Sequence, residues 1–98
     1  MGFLQRGYFG TNFLHGGIQH IYKFHNNYGA SVIQHQFSYG YEDDLWELGV
    51  AKWNLDGDWQ LDYSTAVADD VLGCLTVEDV NNLLQQIEQL PEAVYEAK

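Results

Sequence analysis

The chain has 98 residues, 46% apolar and 15% aromatic, with a formal net charge of −10. That length suits one domain burying roughly two thirds of its extended surface, and the apolar content lies outside the range of disordered chains. Four Lys and Arg residues against fourteen acids exclude a phosphate-binding track. Cys74, the single cysteine, excludes an internal disulfide, and no apolar run reaches the length of a secretory core or a membrane span.

Charge is segregated along the chain. Residues 1–41 carry Arg6, Lys23 and the histidines His15, His20, His25 and His35 but no acid, whereas all fourteen acids lie from Glu42 to Glu96. Such asymmetry bears on partners and solubility more than on fold. Within residues 1–19, glycines interleave with Phe3, Tyr8, Phe9 and Phe13. This composition is read as an arm, either a loose leader or an edge strand laid on its own molecule, or else a reach onto a neighbouring subunit.

Residues 20–98 read as a single α+β domain. Strands are predicted over Gln19–Phe24, Ala30–Ser38, Leu45–Trp53 and Trp59–Tyr63, separated by turn-forming clusters around Asn26–Asn27 and Gly40–Asp44. Asp56–Gly57 has the composition of a two-residue type I′ turn. That turn would place Asn54 opposite Trp59, Lys52 opposite Leu61 and Val50 opposite Tyr63, so that Trp46, Leu48 and Val50 share a face with Trp59, Leu61 and Tyr63. The second face would carry Trp53, which needs cover from the arm, a partner or a ligand. A helical turn is expected at Asp69–Leu72, stopped by Gly73, and Cys74 beyond it reads as a small buried hydrophobe.

Thr76 then begins a helix. Its side chain suits the cap and Asp79 completes a capping box, while Val77, Val80, Leu83, Leu84, Ile87 and Leu90 form one apolar stripe. Pro91 ends the helix near Leu90, leaving Glu92–Lys98 as a frayed tail or one more turn. The expected architecture is a twisted antiparallel sheet of four or five strands packed on one C-terminal helix, with a small, partly open barrel as the alternative.

No catalytic constellation stands out. His20, His25 and His35 lie on or beside paired strands, yet no established metal-ligand spacing accompanies them and strand alternation separates them, so neither metal nor other cofactor is expected. Cys74 has no histidine near it in sequence, and Ser31, Ser38 and Ser64 sit in no nucleophile motif. The acids at Glu42–Asp44, Asp56–Asp62, Asp69–Asp70 and Glu78–Asp79 admit a nucleic-acid mimic, although several are accounted for as turn or cap residues.

The segments Phe24–Val32, Ser38–Gly40, Leu45–Leu48 and Asp69–Thr76 resemble small uncharacterised proteins of tailed bacteriophages, over about residues 20–91 and without the leader. The resemblance implies a phage or environmental source and transfers no catalytic motif. The reading is therefore a non-enzymatic phage accessory protein in the host cytoplasm, acting through protein–protein contacts and self-association. Its partner would be another copy or a host or phage protein, with no direct nucleic-acid or membrane binding, and its candidate interaction surface is Tyr39, Tyr41 and Trp53. The alternative is an acidic inhibitor of a host nucleic-acid enzyme.

Overall fold

A computed structural model describes residues 2–95. Six strands, β1 (Tyr8–Leu14), β2 (Gly17–Lys23), β3 (Tyr28–Gln34), β4 (Trp46–Trp53), β5 (Trp59–Leu61) and β6 (Leu72–Leu75), form one antiparallel sheet, and α1 (Val77–Glu88) packs on it. Neighbours follow the order β1-β2-β3-β4-β5, with β6 also on β4. The sheet is open, so the predicted α+β architecture holds and the barrel alternative does not.

The glycine-rich leader contributes the first strand. His15 and Gly16 both have positive φ, 51° and 74°, and Leu14 pairs with Gly17, which defines the two-residue type I′ turn. Histidine is among the non-glycine residues enriched in that conformation, and glycine adopts it freely. Before the strand, Gly2–Arg6 crosses from helix to sheet. The Asn81 amide acts as its partner, accepting from Leu4 N–H (2.8 Å) and donating to Gly2 C=O (3.2 Å). The Tyr22 hydroxyl donates to Leu4 C=O (2.6 Å), and burial, with Tyr8 nearby, pushes its pKa up to about 12. The phenol therefore stays protonated and able to donate.

The hairpin at Asp56–Gly57 differs from expectation by one residue. Trp53 pairs with Trp59 and Ala51 with Leu61. Asn54 N–H donates to Asp58 C=O, and Gly57 N–H, at φ 95°, donates to Asn54 C=O. The loop thus has three residues, closed by a glycine in the left-handed region, a standard alternative to the two-residue turn. The same device recurs between β2 and β3, where Phe24 N–H donates to Tyr28 C=O and Asn27 takes φ 66°.

Because alternation has period two, that single-residue shift moves Trp59 and Leu61 to the opposite face from Trp46, Leu48 and Val50. They join Ala51 and Trp53. The helix face carries Tyr22, Ala30, Val32, Leu48 and Val50, packed against Val80, Leu84 and Ile87 of α1. These three helix side chains are fully buried and contribute on the order of 6 kcal/mol before entropy. The predicted capping box is present: Thr76 Oγ1 accepts from Asp79 N–H, and Asp79 Oδ2 accepts from Thr76 N–H.

The other edge of the sheet is an interrupted strand. β5 lines β4 at residues 51–53 and β6 lines it at 46–48, with an excursion between them that buries Ala68 in the core. Residues 69–71 are not helical, and Leu72 enters β6. The apolar pair Leu72 and Leu75 is used along an open edge, which outweighs weak local helix preference. Cys74 is exposed, with φ 56°, and is not the buried hydrophobe expected. No helix appears over residues 89–95; the expectation for the last residues extends to 96–98, outside the described residues.

Candidate interaction surface

At one end of the sheet, the β1–β2 turn lies beside the connection from His35 to Leu45. His35 ends its strand in a tight polar turn. Its N–H donates to Ser38 Oγ (3.0 Å), its carbonyl accepts from the Ser38 hydroxyl (2.8 Å), and its Nδ1 accepts from Phe37 N–H (3.1 Å). These bonds hold Phe37 outward. The rings of His15 and His35 lie 5.1 Å apart, as do those of His15 and Phe37.

The next residues are fixed from the β4 side. Glu47 Oε1 accepts from Tyr39 N–H (3.2 Å), and Leu45 N–H donates to Gly40 C=O (2.9 Å). A 3-10 turn follows at Tyr41–Asp43. Phe13, Phe37 and Tyr39 are 81%, 71% and 68% exposed, and an open groove of about 580 Å³ is bounded by Phe13, His15, Ile18, Gln34 and Tyr41. Backbone anchoring of exposed aromatic rings lowers the entropy lost when a partner covers them.

Of the three residues predicted as an interaction surface, Tyr39 and Tyr41 belong to this end and are exposed. Trp53 does not join them. It lies on the outer face of the sheet's opposite end and is 2% exposed, with Phe9 packed against it at 4.7 Å and Trp59 at 6.5 Å. Its indole N–H donates to Tyr22 C=O (2.9 Å), and Lys23 Nζ stands over the ring. The cover that Trp53 requires is thus the arm of its own chain. A bulge between Tyr8 and Gly10 accompanies this contact, since it lets Phe9 leave the β1–β2 pairing.

Sequence reasoning missed Phe13 and Phe37. Recognition of His15–Gly16 as a turn would have placed Phe13 on a strand with a free edge.

The histidines are dispersed. His20 lies on the helix face, stacked on Trp46, touched by the edge of Phe3, and bonded through Nδ1 to Thr11 Oγ1 (2.9 Å). His35 is at the strand end beside His15, and His25 is an exposed loop residue. No three His, Cys, Asp or Glu side chains among the described residues are grouped to hold a metal.

Burial lowers the pKa of His20 from 6.5. Below pH 6.5 the unfolded chain takes up a proton that the folded chain resists, so this contribution to stability is present above pH 6.5 and is lost as pH falls. The urea midpoint is expected to drop from pH 7.5 to 5.5 and to drop less in His20→Phe; equal drops would show that another group dominates.

Each described cation is engaged within the chain. Arg6 makes a forked pair with Glu88 (2.8 Å at the closest), Lys23 covers Trp53, and Lys52 donates to Val94 C=O (2.8 Å) beside the Tyr95 ring. The pair holds the Glu88 carboxyl below its ordinary value through the hydrogen bond from Arg6. Two of the acidic groups stand at opposite ends of β4. Glu42–Asp44 precede β4 and Asp56 and Asp58 follow it, so its eight residues set the two groups roughly 26 Å apart. This separation lends the nucleic-acid-mimic reading no support.

No protein-family model matches the chain, and neither a curated protein nor a solved structure does. The resemblance to phage proteins therefore rests on the sequence segments alone. No helix among the described residues is long and apolar enough to cross a membrane.

Proposed function

We propose that this chain is a non-enzymatic accessory protein of phage origin that acts by binding another protein through Phe37, Tyr39 and Tyr41. The observation that carries the reading is three aromatic side chains at one end of the sheet, 71%, 68% and 40% exposed, on a connection anchored by His35, Ser38 and Glu47. Aromatic residues are the commonest anchors of protein interfaces, and here Tyr41 also borders an open groove that reaches Phe13. The acids of Glu42–Asp44 border the patch and form a polar rim that favours a partner with basic residues at its periphery.

Capture from host lysate tests this. The wild-type protein is expected to retain a partner that the double variant Phe37→Ser, Tyr39→Ser releases, with both proteins unfolding at the same temperature. A capture profile that the double variant leaves unchanged refutes the assignment.

A further inference from the structure

Among the described residues, the β1 edge of the sheet has no neighbouring strand beyond β2. β1 has seven residues and pairs only with β2, whereas the opposite edge is divided between a three-residue and a four-residue strand. Proteins ordinarily blunt a long open edge with lysine, proline, an inward charge or a bulge. β1 contains no charge and no proline, and its one bulge is confined to Tyr8–Gly10. From Gly10 to Leu14 the strand is regular, with alternate N–H and C=O groups turned away from β2.

Charge narrows the choice of partner. Two copies at −10 repel wherever their acids approach, yet residues 7–22 contain no Asp, Glu, Lys or Arg. Strand β1 and β2 as far as Tyr22 thus form a strip without Asp, Glu, Lys or Arg on a strongly acidic molecule. A two-fold axis opposes this strand to itself, and an uncharged strand opposed to itself brings no like charges together. Tyr8, Phe9 and Phe13 along it are 45%, 62% and 81% exposed. Their exposed parts offer on the order of 400 Å² per copy, half of the roughly 800 Å² that a standard interface takes from each partner, before the paired backbone is counted.

We propose that β1 pairs antiparallel with β1 of a second copy, joining two six-stranded sheets into one across a two-fold axis. The inference rests on the reading of the chain as a protein that acts by contacts, and it adds a partner along β1, whose Phe13 also borders the groove that Tyr41 lines.

Light scattering over a wide concentration range reads the outcome. The wild-type mass is expected to rise from 11.2 kDa toward twice that value, and added salt is expected to tighten the dimer by screening the repulsion. Phe13→Lys, at an 81% exposed position, is expected to weaken dimerisation at least tenfold while leaving the unfolding temperature of the monomer unchanged. Asn12→Lys, on the opposite face of the same strand, should act alike. In the wild-type dimer, backbone amides between Gly10 and Leu14 should be slower to exchange than in either variant.

A wild-type mass of 11.2 kDa at every concentration overturns the proposal, as does a dimer that both lysine variants leave intact, which would locate the contact elsewhere. Phe37→Ser, Tyr39→Ser separates the two readings. A monomeric wild type that still loses its captured partner in this variant refutes the edge pairing alone, whereas a β1-dependent dimer with no aromatic-dependent partner refutes the proposed function alone.

Discussion

Asn26→Ala is expected to destabilise the fold by about 3 kcal/mol and Asn26→Asp by more. Asn26 is 2% exposed, on the loop between β2 and β3. Its Nδ2 lies 2.9 Å from Ile87 C=O, 3.0 Å from Leu90 C=O and 3.3 Å from Glu88 C=O, while its Oδ1 accepts from Tyr28 N–H (3.0 Å). Its backbone carbonyl also accepts from Ala93 N–H (2.9 Å). The last carbonyls of a helix have no intrahelical donor, and here a sheet loop supplies one. Alanine removes the side-chain donor to the half-buried Glu88 and Leu90 carbonyls and the acceptor of Tyr28 N–H, at about 1–3 kcal/mol for each group left unpaired, while Ile87 C=O keeps the bond from Leu90 N–H (3.1 Å). Aspartate removes both donors and sets a carboxylate against the negative end of the helix dipole. For a domain of this size the alanine variant should lose roughly 15 °C in unfolding temperature. A loss no larger than that of an exposed control such as Asn82→Ala would show that water replaces the amide and that the helix end is not tied to the loop.

Much of the fold was legible because local chemistry and periodicity agreed. Thr76 and Asp79 announced the helix start, and Val80, Leu84 and Ile87, at helical spacing, proved to be its buried face. The strands at Gln19–Phe24 and Leu45–Trp53 were found because their β-rich runs end at turn residues. The hairpin register failed because Asp56–Gly57 is compatible with both a two-residue and a three-residue loop, and the choice reverses the facing of Trp59 and Leu61. β1 was only half legible, as an arm or edge strand, since five glycines in seventeen residues mask the alternation that His15–Gly16 reverses into β2. β6 was invisible for a different reason. Leu72–Leu75 is extended only because β4 offers unpaired groups beyond the end of β5, a condition that no window around residue 72 contains. Of the candidate surface, Tyr39 and Tyr41 follow from their turn context. Trp53 was misplaced because its cover, Phe9, is forty-four residues away in sequence.

That cover implies the second large effect. Trp53→Ala is expected to cost about 4 kcal/mol of stability and to leave assembly to be decided elsewhere. The indole crosses Gly29 to reach the Tyr22 carbonyl on β2: a β-carbon built on Gly29 would meet that carbonyl oxygen and would stand 2.9 Å from Trp53 Nε1. Trp53 therefore bridges three strands, β4 through its own backbone, β3 through contact with Gly29 and β2 through its hydrogen bond. Phe9 closes the arrangement from β1. Trp53→Phe keeps most of the apolar volume and removes only the N–H, so it should cost about 1–2 kcal/mol. Gly29→Ala should destabilise at least as much as Trp53→Ala, because its methyl group occupies the space through which the indole and the Tyr22 carbonyl meet. Urea midpoints of the three variants test the ranking. If Trp53→Ala unfolds like the wild type but loses mass in light scattering, the indole is an assembly residue after all and its burial beneath Phe9 does not persist in solution. If Trp53→Ala and Gly29→Ala both weaken folding while Phe13→Lys weakens only association, the two faces of the leader divide their roles, with Phe9 closing the fold and Phe13 available to a neighbour.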